Sequence, residues 1–247
     1  VVSLDSGAQF EVGSNAKTHD LLTQLARSAM EKHEQYRKYN LDIMDYLGSY
    51  EEGPTLSEVG FAQPSKGVND SVLPETTNQR PNLRIGDVEV GRESPTSIEI
   101  RLTARYKPDN EDNYETDQWG YTETEPLPAF RITDLSEIEA DLIEAFVPVA
   151  VDKAGGFADF RDTATKSNSL IDRIQALTLP AVADIESQLQ QYIETKERAE
   201  KLESEIMETE SMIDNIVVEL FDLGELNTEP IDAAVNTLKP QLRSVDD

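Results

Sequence analysis

From Thr18 to Leu47 the apolar side chains Leu22, Leu25, Ala29, Tyr36, Tyr39, Ile43 and Tyr46 fall at steps of three and four, interrupted only by Lys32. That spacing keeps one stripe on one side of a 3.6-residue turn and predicts a long amphipathic helix. Thr18 or Asn15 is placed to cap its start, and Gly48 to end it. Pro54, Gly60, Pro64, Gly67, Pro74 and Pro81 then mark a connector.

From Leu83 the period changes to two. Ile98, Ile100, Leu102, Ala104 and Tyr106 alternate with Ser97, Glu99, Arg101, Thr103 and Arg105, the pattern of a half-buried strand. Leu83 to Val90 reads as its antiparallel partner through a turn at Gly91 to Pro95, and Ala129 to Ile132 as a third strand. Asp134 and Glu137 have capping-box spacing ahead of a helix with Leu135, Ile138, Leu142, Phe146 and Val149 on one face, which Pro148 is expected to kink or end. Gly155-Gly156 breaks the chain, and a short helix is expected from Asn168 to Leu177.

The longest helix is predicted from Pro180 to Leu223. Its seam runs Ile185, Leu189, Tyr192, Lys196, Ala199, Leu202, Ile206, Thr209, Ile213, Ile216, Leu220 and Leu223, steps of four and three with one repeated three at Ala199 to Leu202. Such a stripe has to pack on something, and the first helix is the nearest candidate; another chain or domain is the alternative. The expected fold is α+β: a small antiparallel sheet with long amphipathic helices forming an antiparallel coiled-coil-like pair. The expected divisions are 1–53 with the first helix, 54–82 as connector, 83–160 as sheet plus helix, and 161–247 as long helix and tail.

Among the 247 residues, Lys and Arg total 22 against 49 Asp and Glu, a net charge of −27, yet 38% are hydrophobic. That apolar fraction is too high for an acidic disordered tail. Dense carboxylates suit a folded surface in a salt-rich cytoplasm, where salt at about 1 M screens repulsion within roughly 3 Å; an acidic protein of an ordinary cell is the other reading. There is no cysteine, hence no disulfide or thiolate site, and no apolar run long enough for a membrane span. Without a secretory-signal pattern the chain is expected to be cytoplasmic. The start Val1-Val2-Ser3-Leu4, lacking Met, points to processing or to a segment of a longer polypeptide.

Catalytic motifs are scarce. The loop Asp109 to Glu115 is rich in carboxylates, but Tyr114 and Gly120 stand where a calcium loop needs Gly and a bidentate Glu. His19 and His33 lack zinc spacing, and Glu194-Thr195-Lys196, an ExK fragment, lies within the long helix. No Walker loop, GxGxxG or Asn/Asp-Pro-Pro-aromatic tetrapeptide occurs. The chain alone is therefore expected not to be an enzyme, with no catalytic, metal or cofactor residues.

Cations are concentrated instead. Arg80, Arg84, Arg92, Arg101, Arg105 and Lys107 face four acids in the same stretch, Asp87, Glu89, Glu93 and Glu99, with a lighter cluster at Arg161, Lys166 and Arg173. Arginine makes bidentate contacts to phosphate and guanine, so Arg84, Arg101, Arg105, Lys107, Lys166 and Arg173 are the candidate DNA contacts. Pairing with neighbouring acids is the competing reading.

The runs Ala104-Arg105-Tyr106-Lys107-Pro108, Glu115 to Pro126, Ala150 to Phe157, Thr165 to Arg173, Leu177 to Pro180 and Ile213 to Leu223 resemble the carboxyl-terminal region of haloarchaeal type IIG restriction–modification adenine-specific DNA methyltransferases. Asp222 stands where that family's closing motif has Gly, and Gly224 to Pro230 replaces its acidic run. The resemblance implies a non-catalytic part of such an enzyme, contributing DNA contact or domain positioning. DNA would be reached through the parent enzyme, a methyltransferase domain of the same or an associated chain would be a partner, and S-adenosylmethionine would be the parent's cofactor. A helical scaffold or oligomerisation module without nucleic-acid binding is the alternative.

Overall fold

The structure, a computed structural model, describes residues 12–80, 82–110, 113–153 and 168–220. Its elements are α1 (Val12–Tyr36), α2 (Ile43–Leu47), β1 (Glu52–Thr55), β2 (Phe61–Pro64), β3 (Arg84–Ser94), β4 (Ser97–Tyr106), β5 (Thr122–Glu123), β6 (Leu127–Thr133), α3 (Glu137–Lys153), α4 (Leu170–Gln175), β7 (Thr178–Pro180) and α5 (Val182–Leu220). The fold is α+β, with a small antiparallel sheet and one helix of 39 residues. The chain divides into two compact units, Leu41–Thr195 and Val1–Asn40 together with Lys196–Asp247. The dividing point lies within α5.

In the unit Leu41–Thr195 the main sheet has the order β2-β6-β4-β3, with β5 added beside β4. β4 is its hub. Ile98, Ile100, Leu102, Ala104 and Tyr106 are all buried, and their cross-strand neighbours Ile85, Val88, Phe130 and Ile132 are buried with them. α3 packs on β3 from this apolar side. The predicted pairing is observed, but the turn expected at Gly91 to Pro95 is shorter: Gly91 to Ser94 continue β3, and the chain reverses at Pro95-Thr96 between the paired Ser94 and Ser97.

Several local expectations are corrected. The predicted helix from Thr18 to Leu47 is interrupted: α1 ends at Tyr36, and α2 starts anew because the Asp42 carboxylate accepts from Met44 N at 2.9 Å. Lys153 reaches the same carboxylate, fixing the new start from α3. The apolar spacing continues through Tyr39 and Ile43, so periodicity conceals the break. Thr18 and Asn15 lie inside α1 and are not its caps. Gly48 does end α2, with φ 59° and its N–H on Met44 O.

The capping box of α3 lies two residues later than Asp134 and Glu137. Ser136 N donates to Glu139 Oε2 at 2.8 Å and Glu139 N to Ser136 Oγ at 3.3 Å, while Asp134 has φ 60°. α3 runs through Pro148 to Lys153, because Phe146, Val147 and Val151 are buried on both sides of it and hold the helical path. The connector also contains strands. β2 pairs with β6 at the sheet edge, and β1 with β7, where Gly53 is required because a Cβ there would lie 2.9 Å from Ala181 N and Pro180 O. The Gly155-Gly156 break falls outside the described residues.

The early part of the α5 seam completes this core. Ile185 and Leu189 are fully buried, and Tyr192 meets the Tyr46 ring edge-on at 5.5 Å.

In the other unit, Ala199, Ile206 and Thr209 of α5 are buried, as is Ala29 of α1. Lys32, the residue that interrupts the apolar stripe of α1, donates to Thr209 Oγ1 and Glu205 O, both at 3.3 Å, and pairs with the Glu205 carboxylate at 3.3 Å. His33 Nε2 lies 3.0 Å from Glu210 Oε1. The polar interruption of one stripe thus meets the polar position of the other. Leu223, the last predicted seam position, falls outside the described residues.

Forcing a charge into the seam should destabilise the fold far more than changing its exposed side. Leu189→Asp or Ile206→Asp is expected to cost several kcal/mol, and the exposed Glu208→Lys about 0.5 kcal/mol or less, in denaturant unfolding. Comparable losses from both kinds of change would refute the seam.

Candidate nucleic-acid interface

The period-two pattern of β4 that buries Ile100 and Leu102 turns Glu99, Arg101, Thr103 and Arg105 to the opposite face of the sheet. Register then assembles the cations. Arg84 lies directly across from Arg105 on β3, Glu123 across from Arg105 on β5, and Glu89 across from Arg101. The Tyr121 ring is the shared centre of one group. Arg84 Cζ is 5.5 Å from its centroid, Arg105 Cζ 5.0 Å and Lys107 Nζ 5.1 Å. Cations at these distances are attracted by the negative face of a phenol ring.

Tyr121 is held by a tight turn built on Asp117. Asp117 Oδ1 accepts from Trp119 N and Tyr121 N, each at 2.9 Å, while Oδ2 pairs with Arg105. Asp117 N donates to Tyr121 O at 2.8 Å, Gly120 N returns to Asp117 O at 2.9 Å, and Gly120 supplies the φ of 76° that closes the turn. The Tyr121 N–H, then that of Trp119 and the Arg105 guanidinium, hold the Asp117 carboxyl below the ordinary aspartate range, against an opposing effect of burial. At the tip of this turn Trp119 is 63% exposed, and Tyr114 in the preceding loop is 50% exposed.

A second polar cluster braces the same strands. Thr103 Oγ1 accepts from Asp87 N at 2.8 Å and donates to Glu123. Gly86 makes room for it, since a Cβ at that position would collide with Glu123 Oε1 and Thr103 Oγ1.

The six predicted contacts are therefore not one surface. Arg84, Arg105 and Lys107 are brought together around Tyr121. Arg101 is exposed on the same sheet face and donates to Pro126 O at 2.9 Å. Lys166 lies outside the described residues. Arg173 is not a surface cation: at 2% exposure it donates to Leu83 O at 2.8 Å and Asn168 O at 3.1 Å, tying α4 to the start of β3. Burial lowers its affinity for its proton, with Asp172 opposing.

The expected competition from acids is also present. Arg105 pairs with Asp117, Arg131 with Glu93, Arg92 with Asp141, and Arg80 with Glu75 while stacking on Tyr106 at 4.7 Å. Tyr121, Trp119 and Asp117 were not among the predicted contacts. The signal that could have found them is the interleaving of Arg105-Tyr106-Lys107 with Trp119-Gly120-Tyr121. Among the described residues, no three His, Cys, Asp or Glu side chains form a metal-holding group.

Two outcomes follow from this geometry. Arg173→Met, which preserves bulk but strands two carbonyls, should lower stability by about 2–3 kcal/mol in thermal unfolding; a neutral result would show the two bonds to be dispensable. For Asp117 the folded-state pKa lies below the unfolded value, so its contribution is complete above the ordinary 3.8 and is lost as pH falls through the lower folded value. Trp119 emission, from the chain's only tryptophan, should hold steady down to about pH 4 and change below it, and Asp117→Asn should already show the loosened turn at neutral pH.

No protein-family model, no curated protein and no solved structure matches this chain.

Proposed function

We propose that this chain is the non-catalytic carboxyl-terminal part of a DNA restriction–modification adenine methyltransferase, and that it contacts DNA through the outer face of its sheet. The observation that carries the reading is the convergence of Arg84, Arg105 and Lys107 on Tyr121 in a chain of net charge −27. Guanidinium and ammonium groups donate to phosphate oxygens, and Arg105 would do so alongside its pairing with Asp117. The resemblance of the runs around Arg105, Trp119 and Ile213 supports the family assignment, and through it a methyltransferase domain as partner and S-adenosylmethionine as the parent's methyl donor.

α1 and the distal part of α5 serve domain positioning in this reading, as an antiparallel coiled-coil-like pair. The Lys32 to Thr209 and His33 to Glu210 contacts support it. The same contacts favour the second reading, a helical scaffold or oligomerisation module without nucleic-acid binding. A cytoplasmic site fits the acidic surface, and among the described residues no helix is long and apolar enough to cross a membrane.

The two readings separate in a DNA titration at fixed high salt, run with single-stranded and with duplex oligonucleotides. Arg101→Gln with Arg105→Gln should weaken binding about tenfold or more, whereas Arg27→Gln with Arg37→Gln on α1 should leave it within about twofold. Thermal midpoints check folding. Equal losses, or none from the sheet pair, would favour the scaffold reading.

A further inference from the structure

A DNA-binding surface on so acidic a chain cannot depend on net attraction. Phosphate contacts lose affinity steeply with salt, and seven carboxylates lie between Asp109 and Glu125 with no Lys or Arg among them. Stacking of a nucleobase on an aromatic ring carries no such dependence, because it uses the π face and excludes water without needing a charge. It does need a ring that is exposed, on a main chain held in place.

Trp119 meets both conditions. Its indole is 63% exposed, while its backbone is pinned by Asp117, whose other carboxylate oxygen pairs with Arg105. One carboxylate therefore sets the tryptophan tip and the cation group around Tyr121 in a fixed relation. An exposed indole on this hydrogen-bonded turn offers a flat apolar face, and Arg105 and Lys107 beside Tyr121 fit a partner that carries phosphate.

We infer that Trp119 is a stacking platform for an unpaired base of DNA, with Arg105 and Lys107 meeting the phosphate that flanks that base. This rests on the DNA-contact reading above and narrows it: the ligand of this corner is a single-stranded or unstacked nucleotide, not intact duplex. Duplex buries its base faces against one another and offers an indole no face to stack on.

The chain's only tryptophan is its own reporter. Emission is followed while the intact chain is titrated at fixed high salt with a single-stranded oligonucleotide, with the matching duplex, and with inorganic phosphate. The single strand should quench Trp119, and its affinity should fall with salt at a logarithmic slope no steeper than about −2, as for three or fewer phosphates. Trp119→Ala should weaken single-strand binding about tenfold or more, measured by anisotropy of a labelled oligonucleotide, with an unchanged thermal midpoint; Trp119→Phe should retain most of it. Duplex binding that neither quenches Trp119 nor responds to Trp119→Ala would overturn the stacking inference while leaving the DNA-contact reading in place. Absence of binding to either nucleic acid would overturn both. Quenching by phosphate equal to that by the single strand would show an anion site without base recognition and would also overturn the inference.

Discussion

β4 has to satisfy two surroundings at once. Ile98, Ile100, Leu102, Ala104 and Tyr106 go into the core, and each intervening residue is thereby sent to the other side of the sheet. Most of the main sheet in the unit Leu41–Thr195 is referred to this strand. β3 and β6 take their register from it, β5 is attached beside it, and α3 covers the apolar face it shares with β3. A slip of one residue would bury Arg101 and Arg105 and expose Ile100 and Leu102, a change too costly to compete. The position of the cations is thus a by-product of core packing. No separate device is needed to place Arg105 opposite Arg84.

This explains which parts of the molecule could be read from the chain. β4, its partners and the α5 seam were legible because each repeats one burial choice many times, and repetition is what a period records. Ile185, Leu189, Tyr192, Ala199 and Ile206 are buried as their spacing indicated. β1, β2 and β7 were not legible. They are three or four residues long, contain Pro54, Pro64 and Pro180, and depend on partners more than sixty residues away. The interruption between α1 and α2 was hidden because a single side-chain bond from Asp42 restarts the helix without disturbing the apolar spacing.

The candidate site divides along the same line. Alternation identified the sheet-face cations Arg84, Arg101 and Arg105. It could not identify Tyr121 and Trp119, whose display is set by three donors meeting on one carboxylate. Nor could it show that Arg173 is buried. A guanidinium in a cluster of cations reads as surface, and only folding brings the Leu83 carbonyl, ninety residues away, into reach.

Lys32 shows what a misplaced-looking residue achieves. In a chain with 22 cations, one is half-buried between helices, on a hydroxyl and a main-chain carbonyl. Sliding α1 by two turns along α5 would restore apolar overlap almost everywhere but would set this ammonium beside Leu202 or Ile216. An all-leucine stripe would accept several such alignments with similar energy. The lysine disfavours such alternatives through a polar contact that apolar stripes alone do not supply.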